Sequence, residues 1–378
     1  MARLGREGER TVSTPVERLT LAEKVRLLTG ATPWRLHPLP RIGLRALVFS
    51  DGPAGVRGTG EIPGWTTAAL PAPSALAATW DEDALRRAGT VLAAEARAAG
   101  VDVLLAPVVN LQRSPLAGRH FEYFSEDPLL TARLAAALVT ALQEGGVAAC
   151  AKHFAANDSE TARTSYFAQV GERALREVYL APFEHLVREA GVRTVMSAYS
   201  GLDDGSERAP AGAHHRLLTG ILKREWGFDG VVVSDWAATT SVAEPALAGL
   251  DLAMPGPTSP WSEGLLDAVR DGRVPEHVLD EKVARVLRLA ARVGGFEEPS
   301  TPGPAPEPAD ELRKLAASSM VVLRRDAVFP TATPDLRRLA LIGPNAAEGF
   351  LQGGGSAHVD AQRTVGFAEG LRTALPYT

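Results

Sequence analysis

Short apolar runs recur along the first three quarters of this chain, and each closes on a polar or aromatic group. Val231-Val232-Val233 follows Gly230 and ends in Ser234-Asp235-Trp236. Residues 45–49 end in Ser50-Asp51-Gly52, residues 101–109 in Asn110, residues 147–151 in Lys152-His153, and residues 192–196 in Ser197-Ala198-Tyr199. Apolar runs without alternation, bounded by turn residues, predict strands buried on both faces. Residues 250–254 read as a further strand. Between the runs, residues 81–99, 128–144, 175–190, 214–226 and 280–293 predict helices. Thr20 followed by Glu23 forms a capping box that opens a helix near residue 20. Strand, crossover helix and strand in repetition imply parallel pairing with right-handed crossovers. Sustained over about 280 residues, the pattern favours a (β/α) barrel over an open sheet. Several strand ends carrying polar chemistry then imply one site at the carboxyl face of the barrel.

The pattern changes at residues 296–309, where five prolines exclude both helix and central strand and mark a stiffened linker. Residues 1–14 read as a loose lead-in, residues 15–295 as the barrel domain, and residues 310–378 as a second unit. That unit offers a helix up to Ser318 and strands at residues 320–323 and 339–342, too few elements for a whole α/β domain. Gly353-Gly354-Gly355 lacks the spacing of a dinucleotide-binding loop.

Of the 378 residues, 45% are hydrophobic, enough for a full core, and the formal charge is −5. Arginines are scattered among Glu and Asp, so neither composition nor charge points to nucleic acid. No segment approaches the ~20 apolar residues of a membrane span. The charged opening residues 1–9 do not read as a secretory signal, and a cytoplasmic location is the expectation. Cys150, the single cysteine, lies in an apolar run and reads as a small buried hydrophobe. The eight histidines show no ligand spacing, so no metal and no cofactor is expected, and the pair His214-His215 reads as solvent-facing.

Four motifs in fixed order carry a family resemblance: Ser50-Asp51-Gly52-Pro53-Ala54-Gly55-Val56-Arg57, Gly118-Arg119-His120-Phe121-Glu122-Tyr123, Ala151-Lys152-His153-Phe154, and Val233-Ser234-Asp235-Trp236. With residues 248–257 and 341–346 in support, the chain resembles glycoside hydrolase family 3, the β-glucosidase-like enzymes, from about Leu19 onward. The resemblance implies an α/β protein: a (β/α)8 TIM-like barrel followed by the incomplete start of an α/β sandwich domain. It also implies retaining hydrolysis of terminal β-D-glucosides or related β-glycosides, through a covalent glycosyl-enzyme on Asp235. Read alone, Asp235 could equally be a helix N-cap. By the same resemblance Asp51 accepts sugar hydroxyls and Lys152 and His153 donate to them. Arg57, Arg119 and Arg163 line the pocket, Tyr199 stands near the nucleophile, and Trp236 is a wall against the sugar. Met196 is either pocket lining or plain core.

Three departures stand against the family pattern. Tyr199 is followed by Ser200-Gly201-Leu202-Asp203-Asp204-Gly205-Ser206, where the family usually has Asn and a shorter loop. Ala253 stands where many relatives have Glu. The family's general acid/base, a Glu deep in the second domain, lies beyond residue 378, and the histidine used by an N-acetylglucosaminide subgroup is absent after Phe154. Glu122, Glu126, Asp158 and Glu160 lie in loops near the expected site, but none matches the acid. Several readings therefore stay open: part of a β-glucosidase acting on small oligosaccharides or aryl and alkyl β-glycosides, a degenerate sugar-binding protein without turnover, or a β-xylosidase or α-L-arabinofuranosidase-type specificity. A homo-oligomer or a complementing chain that supplies the missing domain are the partners these readings admit.

Overall fold

The structure, a computed structural model, describes residues 16–298, 303, 307–325 and 338–375. Its strands are β1 Phe49–Asp51, β2 Val103–Leu105, β3 Ala148–Phe154, β4 Phe167–Gln169, β5 Thr194–Ser197, β6 Gly201–Asp203, β7 Arg208–Pro210 and β8 Val231–Val233. The order β1-β2-β3-β5-β8 forms one sheet, parallel throughout, with Phe49 opposite Val103, Val103 opposite Ala148, Cys150 opposite Thr194, and Thr194 opposite Val231. Leu252 bridges Val233 and Ala253 bridges Thr29, both in parallel. The stretch 250–254, expected as a full strand, contributes only these two bridges.

The closing seam differs from the uniformly parallel pairing that the sequence predicts. Gly30 bridges Leu36, and Arg35 bridges Val48, both antiparallel. The chain turns back on itself within residues 30–36, far too few for the dozen or more that a parallel crossover needs. The architecture is a TIM-like (β/α) barrel with one reversed segment at its seam.

Helices Glu82–Ala98, Pro128–Glu144, Ala181–Arg188, Arg216–Glu225 and Glu276–Arg292 supply amphipathic faces to the core. Thr20 caps Leu21–Leu27 in the expected box with Glu23, and Asp127 caps Pro128–Glu144 through the N–H groups of Leu129 and Leu130. Residues 175–190, expected as one helix, divide into wide turns over Leu175–Tyr179 and a regular helix from Ala181. Pro182 has no N–H to donate, so the ladder of hydrogen bonds restarts there. Gly230 permits the approach of β8 to β5: a Cβ on it would lie 2.2 Å from the carbonyl oxygen of Arg193.

Two buried carboxylates staple the amino ends of the strands. Asp102 accepts from the Val48 N–H at 2.8 Å and from Arg45 at 2.6 and 2.7 Å. Asp251 accepts from the Val232 N–H at 2.8 Å and from Lys223 at 2.6 Å. Charged groups at this end of a barrel serve stability, leaving the opposite end for chemistry.

Half of the linker, residues 299–302 and 304–306, falls outside the described residues, and residues 1–14 fall wholly outside them. In the second unit the helix Ala309–Ser318 forms as expected. Residues 320–323 and 339–342, expected as strands, form none, and Leu323 and Ile342 are 94% and 91% exposed. Strand propensity has no effect without a neighbouring strand to complete the ladder. Residues 352–362 instead return to the barrel. Thr67 donates to the Asp360 carbonyl and Gln362 to the Thr67 carbonyl, each at 2.9 Å, and Val359 is buried.

Candidate active site

The carboxyl ends of the parallel strands bring together most of the residues singled out in the sequence. β1 ends on Asp51, β2 leads to Asn110, β3 carries Lys152 and His153, β5 leads to Tyr199, and β8 leads to Asp235 and Trp236. Consecutive residues of a regular strand point to opposite faces. The β3–β5 register, however, shifts between Ala151 and Phe154, and both Lys152 and His153 reach the same cluster.

The cluster is continuous. Lys152 Nζ lies 2.7 Å from Asp51 Oδ1, and both side chains are buried. His153 Nε2 lies 3.6 Å from Asp235 Oδ2 and 3.3 Å from Arg119 Nη2. Arg119 is held by Glu122 through two hydrogen bonds, at 2.9 and 3.1 Å. Glu160 Oε1 lies 3.7 Å from Arg119, and Glu160 Oε2 accepts from Arg163 at 2.8 Å. The Arg163 guanidinium sits 4.5 Å above the Tyr199 ring. Tyr199 donates its hydroxyl proton to the Trp236 carbonyl at 2.8 Å.

Electrostatics separate the two central groups. Asp235 is 7% exposed, and burial pushes its carboxyl up to about 6 against the opposing pull of Lys152, the Trp236 N–H and Arg119. Oδ1 accepts from the Trp236 N–H at 2.7 Å, whereas buried Oδ2 has no hydrogen-bond partner. An ionised carboxylate with one oxygen unengaged is a competent nucleophile. Burial, then the charges of Arg119, Lys152 and Arg163, holds the His153 imidazole well below the ordinary histidine range, so it is neutral at working pH.

An aromatic wall flanks the cluster. Trp236 stacks on Trp34 with ring centroids 5.1 Å apart, and its indole N–H donates to the Pro33 carbonyl at 2.9 Å. Arg57 reaches the same wall, 5.8 Å above the Trp34 ring, and also donates to the Ser356 carbonyl at 3.4 Å. Met196 belongs to the core cluster on β5, in register with Val233. Its surroundings are those of a core residue, the plainer of its two readings.

Residues 36–289 match the glycosyl hydrolase family 3 N terminal domain. The chain belongs to glycosyl hydrolase family 3. It is 45% identical over 365 residues to a beta-glucosidase of Rhizobium radiobacter, covering 95% of this chain and 44% of that protein. Beta-glucosidase B of Emericella nidulans is 43% identical over 373 residues, with 96% and 43% covered. Among solved structures, beta-glucosidase 3B from Thermotoga neapolitana in complex with alpha-D-glucose superposes with a TM-score of 0.90 at 35% identity, covering 96% of this chain and 54% of that one. The chain thus spans less than half the length of these two curated family 3 relatives.

The cluster also contains residues that the sequence pattern does not single out as candidates. Asn110 closes an apolar run, which was a legible signal, yet its contact with His153 crosses to the next strand. Trp34 lies in the irregular closing seam, where no periodicity marks it. Glu122 and Glu160, which do not match the family's acid, hold Arg119 and Arg163. Cys150 is buried, with its thiol pushed up to about 12 by that burial. His214 corrects the expectation of a solvent-facing pair: it is fully buried. Its Nδ1 accepts from the Leu217 N–H at 3.1 Å and its Nε2 faces the Glu207 carbonyl at 3.3 Å. The first turn of a helix has free N–H groups, and this imidazole satisfies one of them. Among the described residues, no three His, Cys, Asp or Glu side chains are arranged to hold a metal ion, and no helix is long and apolar enough to cross a membrane.

Proposed function

We propose that this chain carries the sugar-binding and nucleophilic part of a retaining β-glucosidase. The observation that carries the reading is Asp235 facing His153 at 3.6 Å, beside the buried Lys152–Asp51 pair. In this reading an oxygen of Asp235 attacks the anomeric carbon of a terminal β-D-glucoside. The bond from that carbon to the leaving oxygen breaks, and the sugar becomes an ester of Asp235 that water later hydrolyses. Asp51 accepts from sugar hydroxyls, and charge makes those bonds strong. Lys152 and Arg119 supply positive charge to the hydroxyls and keep Asp235 ionised. Trp236 and Trp34 offer apolar ring faces to the C–H surface of the sugar or its aglycone. Arg57 and Arg163 line the rim.

A proton must reach the leaving oxygen, and we assign no general acid among the described residues. Glu122 is committed to Arg119, Glu160 lies between Arg119 and Arg163, and Asp158 accepts from the Leu111 N–H at 3.0 Å. Glu126 is exposed. In this reading the acid comes from outside these residues, in a longer chain or a complementing one. Without it, ordinary glucosides turn over slower by ~10²–10⁴-fold.

A substrate whose leaving group needs no proton tests the reading directly. With 2,4-dinitrophenyl β-D-glucoside, the chain releases a stoichiometric burst of dinitrophenolate, and Asp235→Ala abolishes it. Thermal stabilisation by glucose with no burst would instead make this a sugar-binding protein without turnover. Neither burst nor stabilisation would overturn the reading altogether.

A further inference from the structure

The side chain of Asn110 makes three contacts to a single residue, His153. Its Oδ1 accepts from the His153 backbone N–H at 2.7 Å, and its Nδ2 donates to the His153 backbone carbonyl at 2.9 Å. These two bonds fix which end of the amide is oxygen, because a backbone N–H can only donate and a carbonyl can only accept. The same Oδ1 then lies 3.2 Å from the imidazole Nδ1. A carboxamide oxygen has no hydrogen, so Nδ1 carries the proton in that contact.

The other side of the ring gives the same answer independently. Nε2 lies 3.3 Å from Arg119 Nη2, a group that can only donate. Nη2 bears two hydrogens: one serves Glu122 Oε2 at 3.1 Å, and the other points at Nε2. The line Glu122–Arg119–His153–Asn110 therefore has one consistent proton arrangement, with a bare nitrogen at Nε2.

We infer that Asn110 is a positioning residue that locks His153 in the tautomer with its proton on Nδ1, so that Nε2 accepts from Arg119 and presents no proton to Asp235. No hydrogen bond runs between Nε2 and Asp235 Oδ2, although the atoms are 3.6 Å apart, and this explains why that buried oxygen lacks a partner. Resting on the glycoside reading, the inference deepens it. With its proton on Nδ1, His153 has no hydrogen on Nε2 to give to a sugar hydroxyl, and this removes the donor role that family resemblance implies for it at that atom.

Nitrogen NMR on the full chain labelled with ¹⁵N-histidine tests the inference with no sugar present. Its failure is therefore separate from any failure of the glycoside reading. The His153 resonances are assigned by their loss in His153→Gln. In the unmodified chain they must show a protonated Nδ1 and a bare Nε2. Asn110→Leu removes the acceptor and shifts population to the Nε2-protonated form, whereas Asn110→Asp keeps an acceptor and restores the Nδ1-protonated form. An Nε2-protonated or doubly protonated ring in the unmodified chain overturns the inference, and so does an unchanged tautomer in Asn110→Leu. Should Asn110→Leu fail to fold, the spectra of the unmodified chain and of Asn110→Asp decide the matter.

Discussion

The ammonium of Lys152 on β3 lies 2.7 Å from the carboxylate of Asp51 on β1, across the intervening strand β2. The pair ties together two strand ends that are distant in sequence and not adjacent in the sheet. Removing one partner of a buried pair leaves an uncompensated charge and costs ~3–5 kcal/mol. Asp51→Asn and Lys152→Met should each lose stability on that scale, and the double variant should lose far less than their sum. A denaturant-based double-mutant cycle measures this, and purely additive losses would show that the pair does not hold the strand ends together.

Asp235 costs stability where it stands. Its folded-state pKa of about 6 lies above the ordinary 3.8, so the folded protein binds the proton more tightly between those values. Stability therefore falls as pH rises through that window, and the penalty is complete above pH 6. Asp235→Asn removes the charge while keeping an acceptor for the Trp236 N–H. The variant should melt higher at neutral pH, by up to about 3 kcal/mol, and match the parent once both carboxyl forms are protonated in acid. An Asn variant no more stable at neutral pH would contradict the environment described for Asp235.

The opposite end of the barrel holds a second costly charge. Burial depresses the Lys282 ammonium to about 7 against the pull of Asp251, whose carboxylate is already engaged by Lys223 at 2.6 Å. Because the folded-state value lies below the ordinary 10.5, the unfolded chain binds the extra proton between those values and stability rises with pH across them. Lys282→Met should therefore be neutral or stabilising by about 1–4 kcal/mol near pH 6, with the gain shrinking as the solution becomes alkaline. Thermal melts at both ends of the window check the sign. A large loss at pH 6 would mean that Lys282, rather than Lys223, is the partner Asp251 requires.

What the sequence made legible was whatever is encoded locally. Val231-Val232-Val233 is a strand because its apolar run is short and β-branched, and Asp235 is exposed to chemistry because it terminates that run. The Thr20–Glu23 box is a pair of local hydrogen bonds and is readable for the same reason. Long-range pairings were not readable. The antiparallel seam at Gly30–Leu36 and Arg35–Val48 depends on partners that no periodicity marks. The small sheet β4-β6-β7, built on the unusual segment after Tyr199, gave no alternation because its strands are three residues each. Residues 320–323 and 339–342 show the converse failure, in which local propensity predicts strands that lack a neighbour. The roles of Trp34 and Asn110 emerge only when the ring closes and sets them against Trp236 and His153.

The nucleophile is the claim on which everything else rests, and a mechanism-based inactivator tests it without need of an acid. The chain is incubated with a 2-deoxy-2-fluoro-β-D-glucoside bearing a dinitrophenolate leaving group, and its peptides are then read by mass spectrometry. A single fluoroglucosyl adduct on Asp235, forming faster as pH rises through about 6 where the carboxyl ionises, is the predicted result. A folded chain that stays unlabelled, or carries the sugar on any other residue, would contradict it.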